Sequence, residues 1–186
     1  MNIKQFNASY LKPEDRLIFR FNTDEDDEYR FWLTRRVTLF ILAATDHLIT
    51  KGLEKKYSPE ASKAIAEFDK ELIRVKPSAK GISRELKYQP ASKFPIGGEP
   101  ILVTDVRCTL GKQGAEDVLS VILTAANGVT VNLQMSGSTL LAVCSLFDQL
   151  RQDAFWGEAC KADSSPGVTL RSAELVEPKK TKSSLH

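Results

Sequence analysis

The 186-residue sequence predicts an α+β fold: two βββα units related by a pseudo-twofold, antiparallel sheets packed with helices as either one continuous sheet or two sheets sharing a core, and an amphipathic helix inserted between them. Two observations carry this. The stretch "EDRLIFRFNTDEDDEYRFWLTRRVTLFILAATDHL" lies over "EDVLSVILTAANGVTVNLQMSGSTLLAVCSLFDQL" at a constant offset of 102 positions and without a gap. Glu14, Asp15, Leu17, Leu39, Asp46 and Leu48 meet identical residues at Glu116, Asp117, Leu119, Leu141, Asp148 and Leu150. The second observation is periodicity. Leu17, Phe19, Phe21, Tyr29, Phe31 and Leu33 meet Leu119, Val121, Leu123, Val131, Leu133 and Met135, in each case at every second residue. Period two is the mark of a strand with one buried face.

The strands ahead of the hairpins are "IKQFNASYL" and "PILVTDVRCTL", the second with Leu102, Val106, Cys108 and Leu110 on one face. Asn127-Gly128 favours a tight turn, whereas "TDEDDE" reads as a longer solvated loop. A hydroxyl residue then caps each helix, Thr34 in the first unit and Ser136 or Ser138 in the second, because a side-chain oxygen can accept from the orphan N–H groups of a first turn. The apolar stripes are Val37, Phe40, Ile41, Ala44 and Leu48, and Leu140, Val143, Cys144, Phe147 and Leu150.

Between the units, Ser58 and Pro59 open a helix with Ala61, Ile65, Phe68 and Leu72 at helical spacing. The following Pro, Gly, Ser and Lys residues read as an extended linker. The expected boundaries are 1–53 for the first unit, 54–76 for the inserted helix, 77–99 for the linker, 100–156 for the second unit and 157–186 for a mostly disordered tail poor in large apolar residues.

Composition narrows the function. A net charge of +2 lacks the overall basic field of a DNA-coating protein, so any charge-based role is local. No apolar run approaches the roughly 18 residues of a membrane-spanning helix. "MNIKQFNASY" has no apolar core preceded by positive charge, so the expected location is cytoplasmic, without membrane attachment. Cys108, Cys144 and Cys160 match no zinc or CxxC spacing and read as reduced thiols. His47 and His186 are the two histidines, too few for a His-based metal cage or a Ser-His-Asp set, and "PIGGEP" precedes a strand rather than opening a helix as a phosphate loop does. No enzyme and no cofactor is expected.

The pattern "EDRLIFRFNT...EYRFWLTRR", with "VNLQMSGSTLLAVCSLFDQL" as a second block, resembles a family of short uncharacterised bacterial proteins, and that resemblance implies no activity. The general plan of duplicated β-rich units ending in a helix is similar to the PUR and Whirly nucleic-acid-binding folds, which use four strands per unit.

The candidate site lies in the first unit. Opposite the core face of its hairpin stand Arg16, Ile18, Arg20, Arg30 and Trp32, where the second unit has Val118, Ser120, Ile122, Asn132 and Gln134. Arg35 and Arg36 open the following helix, although positive charge there opposes the macrodipole at about 0.3–1 kcal/mol per charge. Glu14 and Asp15 return to the same end of the hairpin and are candidate counter-charges; an anionic ligand is the competing explanation. Two functions follow. One is a non-catalytic adaptor or regulator that contacts a protein partner through Arg16, Arg20, Arg30, Trp32, Arg35 and Arg36. The other is a single-stranded RNA or DNA binder using the same residues, since Arg and aromatic rings stack bases and grip phosphates. Between Glu14 and Arg36 seven acids outnumber five arginines, which favours the first.

Overall fold

The alternating segments are strands because only a pleated chain puts every second side chain on one face. The computed structural model describes residues 1–75, 88–113 and 116–157. Its strands are β1 (Gln5–Leu11), β2 (Arg16–Asn22), β3 (Glu28–Thr34), β4 (Ile101–Gln113), β5 (Glu116–Ala125) and β6 (Thr130–Ser136). The α-helices among the described residues are α1 (Arg35–Glu54), α2 (Pro59–Val75) and α3 (Gly137–Asp153). The molecule is thus α+β, and the expected tail lies outside the described residues except for Gly157.

The strands form one mixed sheet in the order β1-β2-β3-β4-β5-β6. Neighbours are antiparallel except β3 and β4, which run parallel through Phe31 with Ile101 and Trp32 with Leu102. Of the two arrangements open to duplicated units, one continuous sheet backed by helices is therefore formed rather than two sheets sharing a core, and its central pair is parallel rather than antiparallel. The hairpin registers correspond: Leu17 faces Leu33 and Phe19 faces Phe31, while Leu119 faces Met135 and Val121 faces Leu133. The chain start lies along β6, with the Gln134 N–H donating to the Met1 carbonyl at 2.9 Å and Asn2 bridging Gln134 in parallel. Lys4 already donates to the Asn22 carbonyl of β2 at 2.9 Å, so the residues leading into edge strand β1 pass from the opposite edge strand, β6, to β2.

Helices cover one face of the sheet. α1 packs on β3 and on β4 beyond it, and α3 packs on β6, β5 and the distant β1. Phe147 of α3 meets Phe19 of β2 edge-on at 5.1 Å. Val37, Ile41, Ala44 and Leu48 of α1 and Leu140, Val143 and Phe147 of α3 join the inward strand residues in one core. Gly52 lets α1 approach β4 closely, since a Cβ there would lie 3.1 Å from Leu110 Cδ2. The Thr34 hydroxyl accepts from the Val37 N–H at 3.3 Å, and the Ser58 hydroxyl from the Ala61 N–H at 3.3 Å, as expected of caps. The hydroxyls expected to cap α3 lie outside the described side chains.

Two expectations about faces are corrected. A register shift between Val103 and Asp105 inverts the alternation of β4. A bulge adds one residue, so Val103 is buried with Cys108 and Leu110, while Leu102 pairs with Trp32 on the outer face. In α2, Phe68 is 65 % exposed and the buried positions are Ser62 and Ala66. Small residues let α2 lie close on α1 and α3, which turns Phe68 to the opposite side of the helix.

Phe31 and Leu133 occupy corresponding positions in the two hairpins and are both essentially inaccessible. Phe31→Ala and Leu133→Ala should each destabilise by about 2–5 kcal/mol in denaturant unfolding, the usual cost of emptying a closed core site.

Candidate interaction site

On the outer face of the first three strands, register aligns Gln5 and Asn7 of β1, Arg16, Ile18, Arg20 and Asn22 of β2, and Glu28, Arg30 and Trp32 of β3. Residues 88–98, expected to be a plain linker, cross this face as a strap. Its anchor is Glu28, whose side chain is 0 % exposed. Glu28 Oε2 accepts from the Ala91 N–H at 2.9 Å, Oε1 accepts from Arg30 Nε at 2.6 Å, and the Glu28 N–H donates to the Lys93 carbonyl at 2.8 Å. Asp26 adds a second clamp, accepting from the Ser92 N–H at 3.2 Å and from the Ser92 hydroxyl. The acidic loop is therefore not merely solvated. It is a receptor for the strap, and Asp26 reaches it from a left-handed backbone, φ 63°, that Asp tolerates better than most residues.

The arginines of this face stack on the strap. Arg20 lies over the Tyr88 ring at 5.2 Å and donates to Asn7 Oδ1 at 2.9 Å. Arg30 lies over Phe94 at 4.8 Å and donates to the Gly98 carbonyl at 2.8 Å. Asn22 donates to the Gln89 carbonyl at 2.9 Å. Burial, with the Glu28 carboxylate beside it, pushes the Tyr88 phenol far above the ordinary tyrosine range. The fit is incomplete, because Arg20 Nε and Asn22 Oδ1 are buried without a hydrogen-bond partner, each at a typical cost of about 1–3 kcal/mol.

The other four candidate residues lie outside the strap's grip. Arg16 sits 6.0 Å from the Trp32 ring and 3.5 Å from Glu14. Arg35 and Arg36 are exposed, and no ion pair joins either to an acid among the described residues. Arg36 reaches the Thr104 carbonyl at 3.5 Å. Asp15 does lie at this end of the hairpin, but its hydrogen bonds come from Trp156 Nε1 at 2.6 Å and the Tyr10 hydroxyl at 2.9 Å. Those two donors, with the Arg35 charge as a smaller contribution, hold the Asp15 carboxyl below its usual range.

Trp156 is buried and meets Tyr10 edge-on at 5.6 Å. It is delivered there by the end of α3, where the Phe155 N–H donates to Gln152 and the Trp156 N–H to Arg151, each at 3.0 Å. This is the Schellman pattern, whose left-handed position normally holds glycine. Here it holds Phe155, at φ 55° and 92 % exposed. Gly157 then passes beside Arg35, a Cβ on it lying 4.0 Å from Arg35 Nη2.

The face thus separates into a strap-covered part, Arg20 and Arg30, and an open part, Arg16 with Trp32; beyond it the exposed Arg35 and Arg36 begin α1, and the end of α3 passes Arg35 at Gly157, two residues after Phe155. Sequence reasoning missed Glu28, Asp26, Tyr88, Phe94 and Phe155. Two aromatics inside a Pro-rich stretch were a signal for the strap, since a bare linker has no use for them; Phe155 offers no such signal. Burial pushes the thiols of Cys108 and Cys144 up to about 12. His47 is exposed, and among the described residues no His, Cys, Asp and Glu cluster is suited to a metal ion. No described helix is long and apolar enough to cross a membrane. No family model, no curated protein and no solved structure matches the chain.

Glu28→Ala should lower stability by about 2–3 kcal/mol in denaturant unfolding, because it removes charge-assisted bonds from a buried backbone N–H and from Arg30. The Asp26 carboxyl is held below 3.8 chiefly by its bonds from Ser92. A depressed value means that its contribution is complete above the unfolded value and is lost as pH falls through the folded one. Carbon-detected NMR titration should therefore give Asp26 a midpoint below 3.8, rising toward that value in Ser92→Ala.

Proposed function

We propose that the chain is an internally duplicated, non-catalytic interaction module of the cytoplasm, an adaptor or regulator that docks an acidic protein surface on the corner formed by Arg35, Arg36 and Phe155. The duplication reading is supported by three correspondences: the hairpin registers, the strand-to-helix junctions at Arg35 and Gly137, and the parallel contacts Trp32 with Leu102 and Gln134 with Asn2. Of these two junctions, the first alone presents two arginines.

Phe155 is the observation that carries the docking reading. A bulky side chain in the left-handed region costs about 1–2 kcal/mol over glycine, and this ring recovers little of it by packing, being 92 % exposed. Strain kept at an exposed position is a reason to look for a function there. Two arginines at the start of α1, neither held in an ion pair among the described residues, add a second local cost, and aromatic and arginine side chains are the types enriched at interface hot spots. Protein is favoured over single-stranded nucleic acid because Arg20 and Arg30, half of the strand-face cations and stacking groups, are already engaged by Tyr88, Phe94 and Glu28.

The double variant Arg35→Gly, Arg36→Ser should be as stable as the parent or more stable by about 0.3–1 kcal/mol per charge, and Phe155→Gly should gain about 1 kcal/mol. A photo-crosslinking residue at position 155 should trap a protein in cells, and the arginine exchange should abolish the product, whereas a probe at Phe68 should be unaffected. Destabilisation by the arginine exchange, coupled to Asp15 in a double-mutant cycle, would assign the arginines to the fold instead. Binding of single-stranded oligonucleotides that weakens steeply with salt would favour the nucleic-acid reading.

A further inference from the structure

The strap is bound as a ligand is bound. Its contacts with the sheet use backbone groups at Gln89, Ala91, Ser92, Lys93 and Gly98, together with the Ser92 hydroxyl and two aromatic rings stacked on guanidiniums. An isolated parallel bridge between Asp27 and Lys93 gives it the character of an added strand. Recognition of an extended segment by main-chain bonds, with pockets for a few side chains, is a recurring mode of peptide binding.

The receptor is also specific to this hairpin. Where Arg20, Glu28 and Arg30 hold the strap, the register of β5 and β6 has Ile122, Thr130 and Asn132. The sheet itself does not need those three side chains, since β5 and β6 pair with the corresponding register without them. Nor is the strap the best occupant conceivable, because it leaves Arg20 Nε and Asn22 Oδ1 buried and unpartnered. A segment offering an acceptor to the first and a donor to the second would be held better.

We propose that residues 88–98 are an autoinhibitory strap occupying a peptide-binding site, and that the site takes an extended protein segment with two aromatic residues six positions apart, as Tyr88 and Phe94 are. This rests on the interaction-module reading and extends it, giving the first hairpin a second, covered contact beside the open corner. Opening is a local equilibrium in which the strap leaves and Arg20, Glu28 and Arg30 become available; an external segment binds in proportion to the open population. Tethered in the same chain, the strap competes at high effective concentration, so the unmodified protein is largely closed.

The test uses the full chain and a fluorescent synthetic peptide with the sequence of residues 88–98. The variant Tyr88→Ala, Phe94→Ala should bind this peptide at least tenfold more tightly than the unmodified chain, and a peptide lacking both aromatics should not bind. Equal binding by both chains, or none by a variant that melts cooperatively, overturns the proposal. Native-state hydrogen exchange on the unmodified chain is independent of any variant. The amides of Ala91, Ser92 and Lys93 should exchange at least a hundredfold faster than those of Phe19 and Phe31, through local opening; exchange only with global unfolding overturns the proposal. Acceleration by an oligothymidylate and not by the peptide would overturn the assignment to a protein segment. Introducing Arg35→Gly, Arg36→Ser should leave peptide binding unchanged, so failure at the corner and failure under the strap give different results.

Discussion

Only Phe31 with Ile101 and Trp32 with Leu102 join β3 to β4, yet this parallel seam makes one sheet of six strands. Three strands with one apolar face cannot stand alone in water; the face must be covered. Here the cover is crossed: α1, which follows β3, packs also on β4, and α3, which follows β6, reaches back to β1. Each helix thereby buries part of the other set of strands, and the core is shared. The seam and the crossing depend on one another, because a sheet split at β3 and β4 would separate α1 from Leu110 and α3 from Phe19.

The outer face of the sheet is organised by a different force. Glu28 has lost all contact with solvent, and a carboxylate so placed is tolerated only when charge and hydrogen bonds surround it. Arg30 supplies the charge, and the Ala91 N–H supplies a backbone donor from far along the chain. The strap therefore satisfies a group that the hairpin alone leaves in need, while the hairpin supplies the strap with partners for its backbone. Asp26 extends the same exchange to Ser92. An acid-rich loop beside an arginine-rich strand face is a binding surface for chain, already in use within the molecule.

At the other end of the hairpin the solution is different. Asp15 gives its hydrogen-bonding capacity to Trp156 and Tyr10, fastening the end of α3 to the turn between β1 and β2. Arg35 feels that carboxylate but does not own it. This is why the helix start keeps exposed positive charge, and why Phe155, obliged to turn the chain so that Trp156 can enter the core, is left in solvent.

Period-two and helical patterns determined the strands, the hairpin registers, two of the caps and most of the inward face, because these depend on near neighbours and on which side chains avoid water. The location of the arginines and Trp32 opposite that face was equally legible. Tertiary structure alone decided the rest. Whether two hairpins make two sheets or one turned on a two-residue seam between chain segments far apart. A single bulge exchanged Leu102 for Val103 in the core, and the close approach of α2 through Ser62 and Ala66 put Phe68 outside. Above all, the fates of Arg20, Arg30 and Glu28 depended on Ala91, Tyr88 and Phe94, more than fifty positions away. Local patterns record which residues must leave water, but the partner that a buried charge finds is set by which distant backbone happens to pass over it.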